Sequence, residues 1–289
     1  MISNFVEDFL DIDSYEKAFN SIKLLNDNDK DHTFNTHLET MKTVFKSDVF
    51  IDDIKQPMNL LGGKKGKDLI REMTGWSGKM FSLLEFDGFG GYCPLHQMHK
   101  GGYLHPHVDH SFIQKGKYIH IGNCILYMNK TWKNDWGGAT TFYKVDSQNL
   151  FNYFALPVES FYPIGNSVLS FVHDSFAFHG VSDVRCPSNQ SRYTYYMDYY
   201  ISSDDLYEFC KSFRDKNLVD FKFAKHSTTF LPFPIEINGK YKFFSNLNRE
   251  TITYIRRYLN YLERLNNSGL LVKPYYLSFF ISIFNRFLV

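Results

Sequence analysis

The chain has 289 residues, 44% of them hydrophobic and 18% aromatic, and its 32 basic and 31 acidic side chains leave a formal net charge of +1. That length holds one large domain or two small ones, and the aromatic content favours a β-rich core. The near-neutral charge lacks the basic excess of a nucleic-acid binder, so no nucleic-acid partner is expected. Cys93, Cys124, Cys186 and Cys210 are widely spaced without a Cys-x-x-Cys pair, and the acidic N-terminus has no long apolar core. Both features point to free thiols and a cytoplasmic protein.

Residues 1–79 read as mixed and mainly helical. Asp13 or Ser14 is placed to cap a helix carrying Tyr15, Ala18, Phe19, Ile22 and Leu25 near one face. The polar run from Asn26 to Asp31 ends it as a loop. Leu61 to Gly66 punctuates the chain, and a short helix is expected from Lys67 to Thr74.

From about residue 80 to 202 the pattern changes to short strand-like runs. These are Phe81–Phe86, Leu95–His99, Tyr103–His110, Tyr118–Met128, Ala139–Val145, Ser167–Val172 and Arg192–Ile201. The glycine-rich loop Asp87–Gly91 and a turn at Lys100–Gly102 stand among the separators. Many short strands at this spacing suggest a sandwich, jelly roll or barrel.

Beyond residue 203 the chain is helical or mixed. Arg249–Leu265 places Ile252, Ile255, Leu259 and Leu262 on one helical face, and Gly269 is suited to cap it. Residues 275–289 are apolar but too short to span a bilayer, which takes roughly 18 or more apolar residues. They read as a segment packed on the core, with a homodimer contact or peripheral membrane attachment as the alternatives. No internal repeat or linker divides the chain. One domain is expected over 1–289, with its core at 80–202, N-terminal support at 1–79 and a C-terminal extension at 203–289.

The most informative stretch is Tyr103-Leu-His-Pro-His-Val-Asp-His110. On a strand, His107 and Asp109 project from the same face. An imidazole and a carboxylate together supply two ligands of a 2-His-1-carboxylate facial triad, the arrangement that leaves open positions on Fe(II). His105 and His107 form a competing pair at the same spacing. Downstream, His179 follows the apolar run Val168–Val172 and is available as a third ligand. Arg192 opens a strand with Thr194 on its face, and its planar guanidinium suits a carboxylate.

With these motifs in order, the sequence resembles the Fe(II)/2-oxoglutarate-dependent oxygenases of the prolyl-4-hydroxylase-like type, over about residues 80–202. The resemblance rests on Gly101-Gly-Tyr-Leu-His-Pro-His-Val-Asp109, Cys124-Ile-Leu-Tyr-Met-Asn-Lys-Thr-Trp132, Asp135-Trp-Gly-Gly138, Ser175-Phe-Ala-Phe-His-Gly-Val181 and Ser191-Arg-Tyr-Thr194. It implies a mainly β fold with flanking α, a double-stranded β-helix (jelly roll) core with N- and C-terminal helices.

The resemblance also implies His107, Asp109 and His179 as iron ligands and Arg192 as the partner of the 2-oxoglutarate 5-carboxylate. Tyr127 and Thr194 would contribute hydroxyls, and Ile125 would pack on the co-substrate chain. O2 would be consumed and ascorbate is a candidate accessory. His105 as a ligand would leave Asp109 unexplained and break the match. Met98-His-Lys100 departs from the family's aromatic-containing segment before the glycines. Asp109 argues against halogenation, which needs a small residue there.

Candidate substrate contacts, by nearness in sequence to the ligands, are Gln97, Tyr103, His105, Trp136 and His173. The implied reaction hydroxylates an unactivated C–H of a peptidyl or free amino acid of proline type, with release of succinate and CO2. A glycan precursor or small metabolite is the alternative substrate. A non-catalytic jelly-roll binding module and a zinc hydrolase are the rivals from other classes.

Overall fold

The computed structural model describes residues 1–36, 38–86, 94–145, 155–231, 235–237, 240–242 and 249–270. The chain opens with strand β1 (Ser3–Val6), helix α1 (Ile12–Ile22), and the strands β2 (Lys30–Asn35) and β3 (Glu39–Phe45). Helices α2 (Asp52–Gly62) and α3 (Lys64–Thr74) follow, then β4 (Phe81–Ser82), β5 (Leu95–Val108), β6 (Phe112–Ile113) and β7 (Tyr118–Tyr127). Next come β8 (Thr140–Val145), β9 (Ala155–Phe161), β10 (Ser167–Val172), β11 (His179–Val181) and β12 (Arg192–Ser202). The remaining elements are α4 (Leu206–Asn217), β13 (Thr229–Phe230), β14 (Ile235–Ile237), β15 (Lys240–Lys242) and α5 (Arg249–Asn267).

The strands form a curled, almost wholly antiparallel sheet in the order β1-β10-β7-β12-β5-β11-β8-β9-β14-β15. β5 makes the curl. Its first residues pair with β12, Met98 opposite Arg192, and its last residues pair with β11, His107 opposite His179. The expected turn at Lys100–Gly102 is therefore a bend within one continuous strand. Gly101 adopts φ +84°, a left-handed conformation that strains any residue with a side chain, and this lets the strand change partners without breaking. The result is the jelly-roll half-barrel the sequence suggested, with helices flanking it.

Strand β12 is two-faced. Tyr195, Met197 and Tyr199 point to the helices, in one core cluster with Ala18, Ile54, Leu61 and Ile70. The hydroxyls of Tyr195 and Tyr199 donate to the carbonyls of Ile54 and Leu61, so these large rings are buried without leaving a polar atom unpaired. Each such apolar or aromatic side chain contributes roughly 1.5–3 kcal/mol on burial. The opposite face of β12, Arg192, Thr194 and Tyr196, lines the interior of the curl.

The first 79 residues are less helical than expected, because β1, β2 and β3 join the sheet beside β10 and β5. β2 and the outer part of β3 are polar and half exposed, so they lack the apolar alternation that marks a buried strand. The α1 cap is Asp11, whose carboxylate accepts from Ser14 N at 2.9 Å. Around Leu61–Gly66 the expected break is a single extended residue, Gly63, between two helices. α5 and Gly269, at φ +71°, are where the sequence places them. The side chains of Ile252 and Ile255, the loop Asp87–Gly91 and the apolar segment 275–289, on which the homodimer expectation rests, lie outside the described residues. Among those described, no helix is long and apolar enough to cross a membrane.

Candidate active site

The pairing of β5 with β11 sets His107 and His179 side by side, ring centroids 4.4 Å apart, and Asp109 follows immediately after β5. His107 Nε2 lies 3.3 Å from Asp109 Oδ1, and His179 Nε2 lies 3.4 Å from Asp109 Oδ2. Both imidazoles are tethered in the same way. His107 Nδ1 is 3.0 Å from the His105 carbonyl oxygen and His179 Nδ1 is 2.9 Å from that of Ala177. A carbonyl can only accept, so each Nδ1 carries a proton and each Nε2 is the ring nitrogen turned toward the carboxylate. Two ring nitrogens and a carboxylate converging in a buried site suit a cation held between them. Two imidazoles and one carboxylate suit a first-row divalent metal and leave positions open on it.

The electrostatics agree. Burial, then neighbouring His107, push His179 down to about 4 against the pull of Asp109, so its imidazole is neutral near pH 7. Burial alone would raise Asp109, but His179 and His107 outweigh it and hold the carboxyl well below the usual range. Asp109 Oδ2 also accepts from the Tyr196 hydroxyl at 2.8 Å.

Across the same cavity stands Arg192, 4% exposed. Its Nε donates to the Gly138 carbonyl at 2.8 Å, Nη2 to Thr140 Oγ1 at 3.1 Å, and Nη1 approaches Thr194 Oγ1 at 3.5 Å. The Tyr127 hydroxyl donates to Thr140 Oγ1 at 2.7 Å, and the guanidinium sits 5.4 Å from the Tyr127 ring centre. Burial pulls the Arg192 pKa below its ordinary value. Among the described residues no carboxylate forms an ion pair with it. A buried guanidinium without a counter-charge is costly unless an anion enters the cavity beside it.

The cavity opens to solvent and brings together His107, Asp109, His179, Arg192, Thr194 and Ile125. Tyr127 stands behind its wall. The five candidate substrate contacts are not among its lining residues. Gln97 points the other way, to Ser191 and the Tyr193 hydroxyl, because alternate residues of β5 face opposite sides. Tyr103 pairs across to Thr40. His105 lies where the β5–β11 register slips between Leu104 and His107, which takes it off the ligand face. Trp136 packs edge-on against Trp132, and His173 stacks on His120. The lining instead includes Lys42, His96, Met98, Leu104, Val181, Thr140 and Tyr196. Tyr196 continues the every-second-residue row begun by Arg192 and Thr194, a signal present in the sequence. Thr140 needed the register of β8 to be found.

Residues 93–198, which hold His107, Asp109, Tyr127, His179, Arg192 and Thr194, match the family described as the 2OG-Fe(II) oxygenase superfamily. The match covers 106 of the 289 residues, so that segment is similar to a 2-oxoglutarate- and Fe(II)-dependent oxygenase core. Solved structures similar to the chain include a prolyl-4-hydroxylase of Pseudomonas putida (11% identity, 70% of this chain and 92% of that one, TM-score 0.45). Another is a prolyl hydroxylase of Trichoplax adhaerens in complex with a hypoxia inducible factor peptide fragment (16%, 71% and 85%, TM-score 0.48). A third is HygX of Streptomyces hygroscopicus with nickel, 2-oxoglutarate and hygromycin B bound (8%, 69% and 82%, TM-score 0.43). A search of curated proteins finds no match.

Proposed function

We propose that His107, Asp109 and His179 hold the Fe(II), that Arg192 takes the 5-carboxylate of 2-oxoglutarate, and that the enzyme hydroxylates an aliphatic C–H of a proline-type amino acid, peptidyl or free. The observation that carries this reading is the buried Arg192 guanidinium, without a carboxylate partner among the described residues, lining one cavity with the triad. Bound iron would supply oxidative decarboxylation of 2-oxoglutarate coupled to O2 reduction, which is cofactor chemistry. The protein supplies position. Thr140 and Thr194 orient the guanidinium, Ile125 walls the co-substrate chain, and Tyr196 fixes the Asp109 carboxylate. Met98, Leu104 and Val181 give an apolar wall for an aliphatic ring, while Lys42 and His96 offer polar contacts to its backbone groups. The free thiols of Cys124, Cys186 and Cys210 support a reducing compartment such as the cytoplasm.

The test is succinate formation from 2-oxoglutarate with Fe(II) and O2, alone and with proline-containing peptides or free amino acids, while mass spectrometry seeks the gain of one oxygen. His179→Ala should abolish succinate formation. Arg192→Ala should raise the 2-oxoglutarate requirement about 10- to 100-fold, the loss of a charged, hydrogen-bonded anion contact. Succinate formation indifferent to both substitutions defeats the site assignment. Succinate without an oxidised amino acid defeats only the substrate class.

A further inference from the structure

The face of β12 that carries Arg192, Thr194 and Tyr196 continues through Asp198 and Tyr200 into a second group of donors. His120 of β7 stands opposite Tyr200 because the register slips by one residue between Gly122 and His120. His110 arrives one residue after Asp109. His120 Nε2 is 3.4 Å from Asp198 Oδ1, and His110 Nε2 is 4.0 Å from Asp198 Oδ2. The Tyr200 hydroxyl is 2.8 Å from His110 Nε2 and 3.0 Å from Asp198 Oδ2. Four donors at roughly 2.1 Å around a tetrahedral ion stand about 3.4 Å from one another. The observed separations bracket that value.

His120 is the informative member, 1% exposed. Its Nδ1 lies 2.9 Å from the His110 carbonyl oxygen and so carries a proton. Its Nε2 then faces two acceptors, the Gly122 carbonyl at 3.2 Å and the Asp198 carboxylate at 3.4 Å. This is the arrangement of His107 and His179: Nδ1 on a backbone carbonyl, Nε2 turned to a carboxylate at 3.3–3.4 Å. Asp198, 3% exposed, has no lysine or arginine in ion-pair reach among the described residues. His173 stacks on His120 at 4.0 Å, buried, with neither ring nitrogen hydrogen-bonded among the described residues.

We propose that His110, His120 and Asp198, with the Tyr200 oxygen as fourth donor, form a second divalent-metal site. It is four-coordinate, with imidazole, carboxylate and phenol donors that suit a first-row divalent ion such as zinc. The site ties the end of β5 to β7 and β12 immediately behind the iron ligands. The Asn123 amide donates to Asp198 at 2.8 Å and also to the Tyr196 hydroxyl, which donates in turn to Asp109. The second ion therefore fixes the framework that holds the Asp109 carboxylate.

The experiment strips the full chain with chelator, reloads it with Co(II), and reads metal content by elemental analysis together with the Co(II) visible spectrum. Two ions per wild-type chain are expected, with the intense absorption of four-coordinate Co(II). Asp198→Asn should bind one ion and lose that absorption, whereas His179→Ala should bind one ion and keep it. His110→Ala, at a partly exposed position, repeats the test should Asp198→Asn not fold. One ion per wild-type chain overturns the proposal and leaves His120 and Asp198 as a buried hydrogen-bonded pair. Equal metal content in wild type and Asp198→Asn overturns it as well. The His179→Ala arm separates this outcome from any failure of the iron-site assignment.

Discussion

Tyr196 acts on Asp109 through one hydrogen bond of 2.8 Å, donated to the oxygen that also faces His179. Outer partners of this kind typically contribute 10- to 100-fold to metal affinity. Tyr196→Phe keeps the ring and removes only that donor, so Fe(II) affinity measured against a competing chelator should fall by about that factor. An unchanged affinity would show that packing alone positions Asp109. At this scale the gathering of residues on one cavity was legible where residue type and spacing are both restrictive: His107 with Asp109, a distant His179, and Arg192 opening a strand. It was not legible for substrate contacts, because nearness in sequence says nothing about which face of a strand a side chain takes. Gln97 and His96 are neighbours, yet only His96 lines the cavity.

The site depends on how closely β11 lies against β5. A Cβ on Gly180 would stand 2.6 Å from the Leu104 carbonyl oxygen and 3.1 Å from Pro106 N, both backbone atoms that cannot swing away. Gly180→Ala should push β11 outward and carry His179 from its place opposite His107. A folded variant with metal affinity reduced on the order of 10- to 100-fold is expected, read by the same chelator competition. Wild-type affinity would mean that the strands relax without moving the ligands. The elements themselves were mostly visible in the sequence, since β7, β10 and β12 are dense in β-branched and aromatic residues. β2 and the outer part of β3 were not, because polar, half-exposed strands carry no apolar rhythm. The continuity of β5 was hidden by Gly101-Gly102, which reads as a turn but forms a bend.

Across the whole molecule, several ionisable groups are buried in their neutral form. His179 and His226 are pushed down to about 4, chiefly by burial, and His173 lies well below its ordinary value of 6.5 for the same first reason. Below pH 6.5 the unfolded chain takes up protons that the folded chain refuses, so stability falls as pH drops from about 6.5 toward 4. Asp174 works the other way. Burial raises it from 3.8 to about 6, so its protonation favours the folded state over that interval and offsets about one histidine. Histidines shifted this far contribute on the order of 3 kcal/mol each at the acid end. The urea midpoint of metal-free protein should therefore be lower at pH 4.5 than at pH 7, and an equal or higher midpoint would contradict the buried neutral histidines.

The curled sheet matters functionally because it sets the His107–Asp109–His179 triad and the Arg192 guanidinium on the walls of one cavity. The most direct test is an anaerobic titration of the Fe(II)-loaded protein with 2-oxoglutarate, followed by visible absorption. Chelation of the iron by the 2-keto and 1-carboxylate groups should produce a weak metal-to-ligand charge-transfer band that saturates with co-substrate. In Arg192→Ala the band should require far more 2-oxoglutarate. Iron-loaded, folded protein that develops no such band at saturating 2-oxoglutarate would contradict the assignment of this cavity as the co-substrate site.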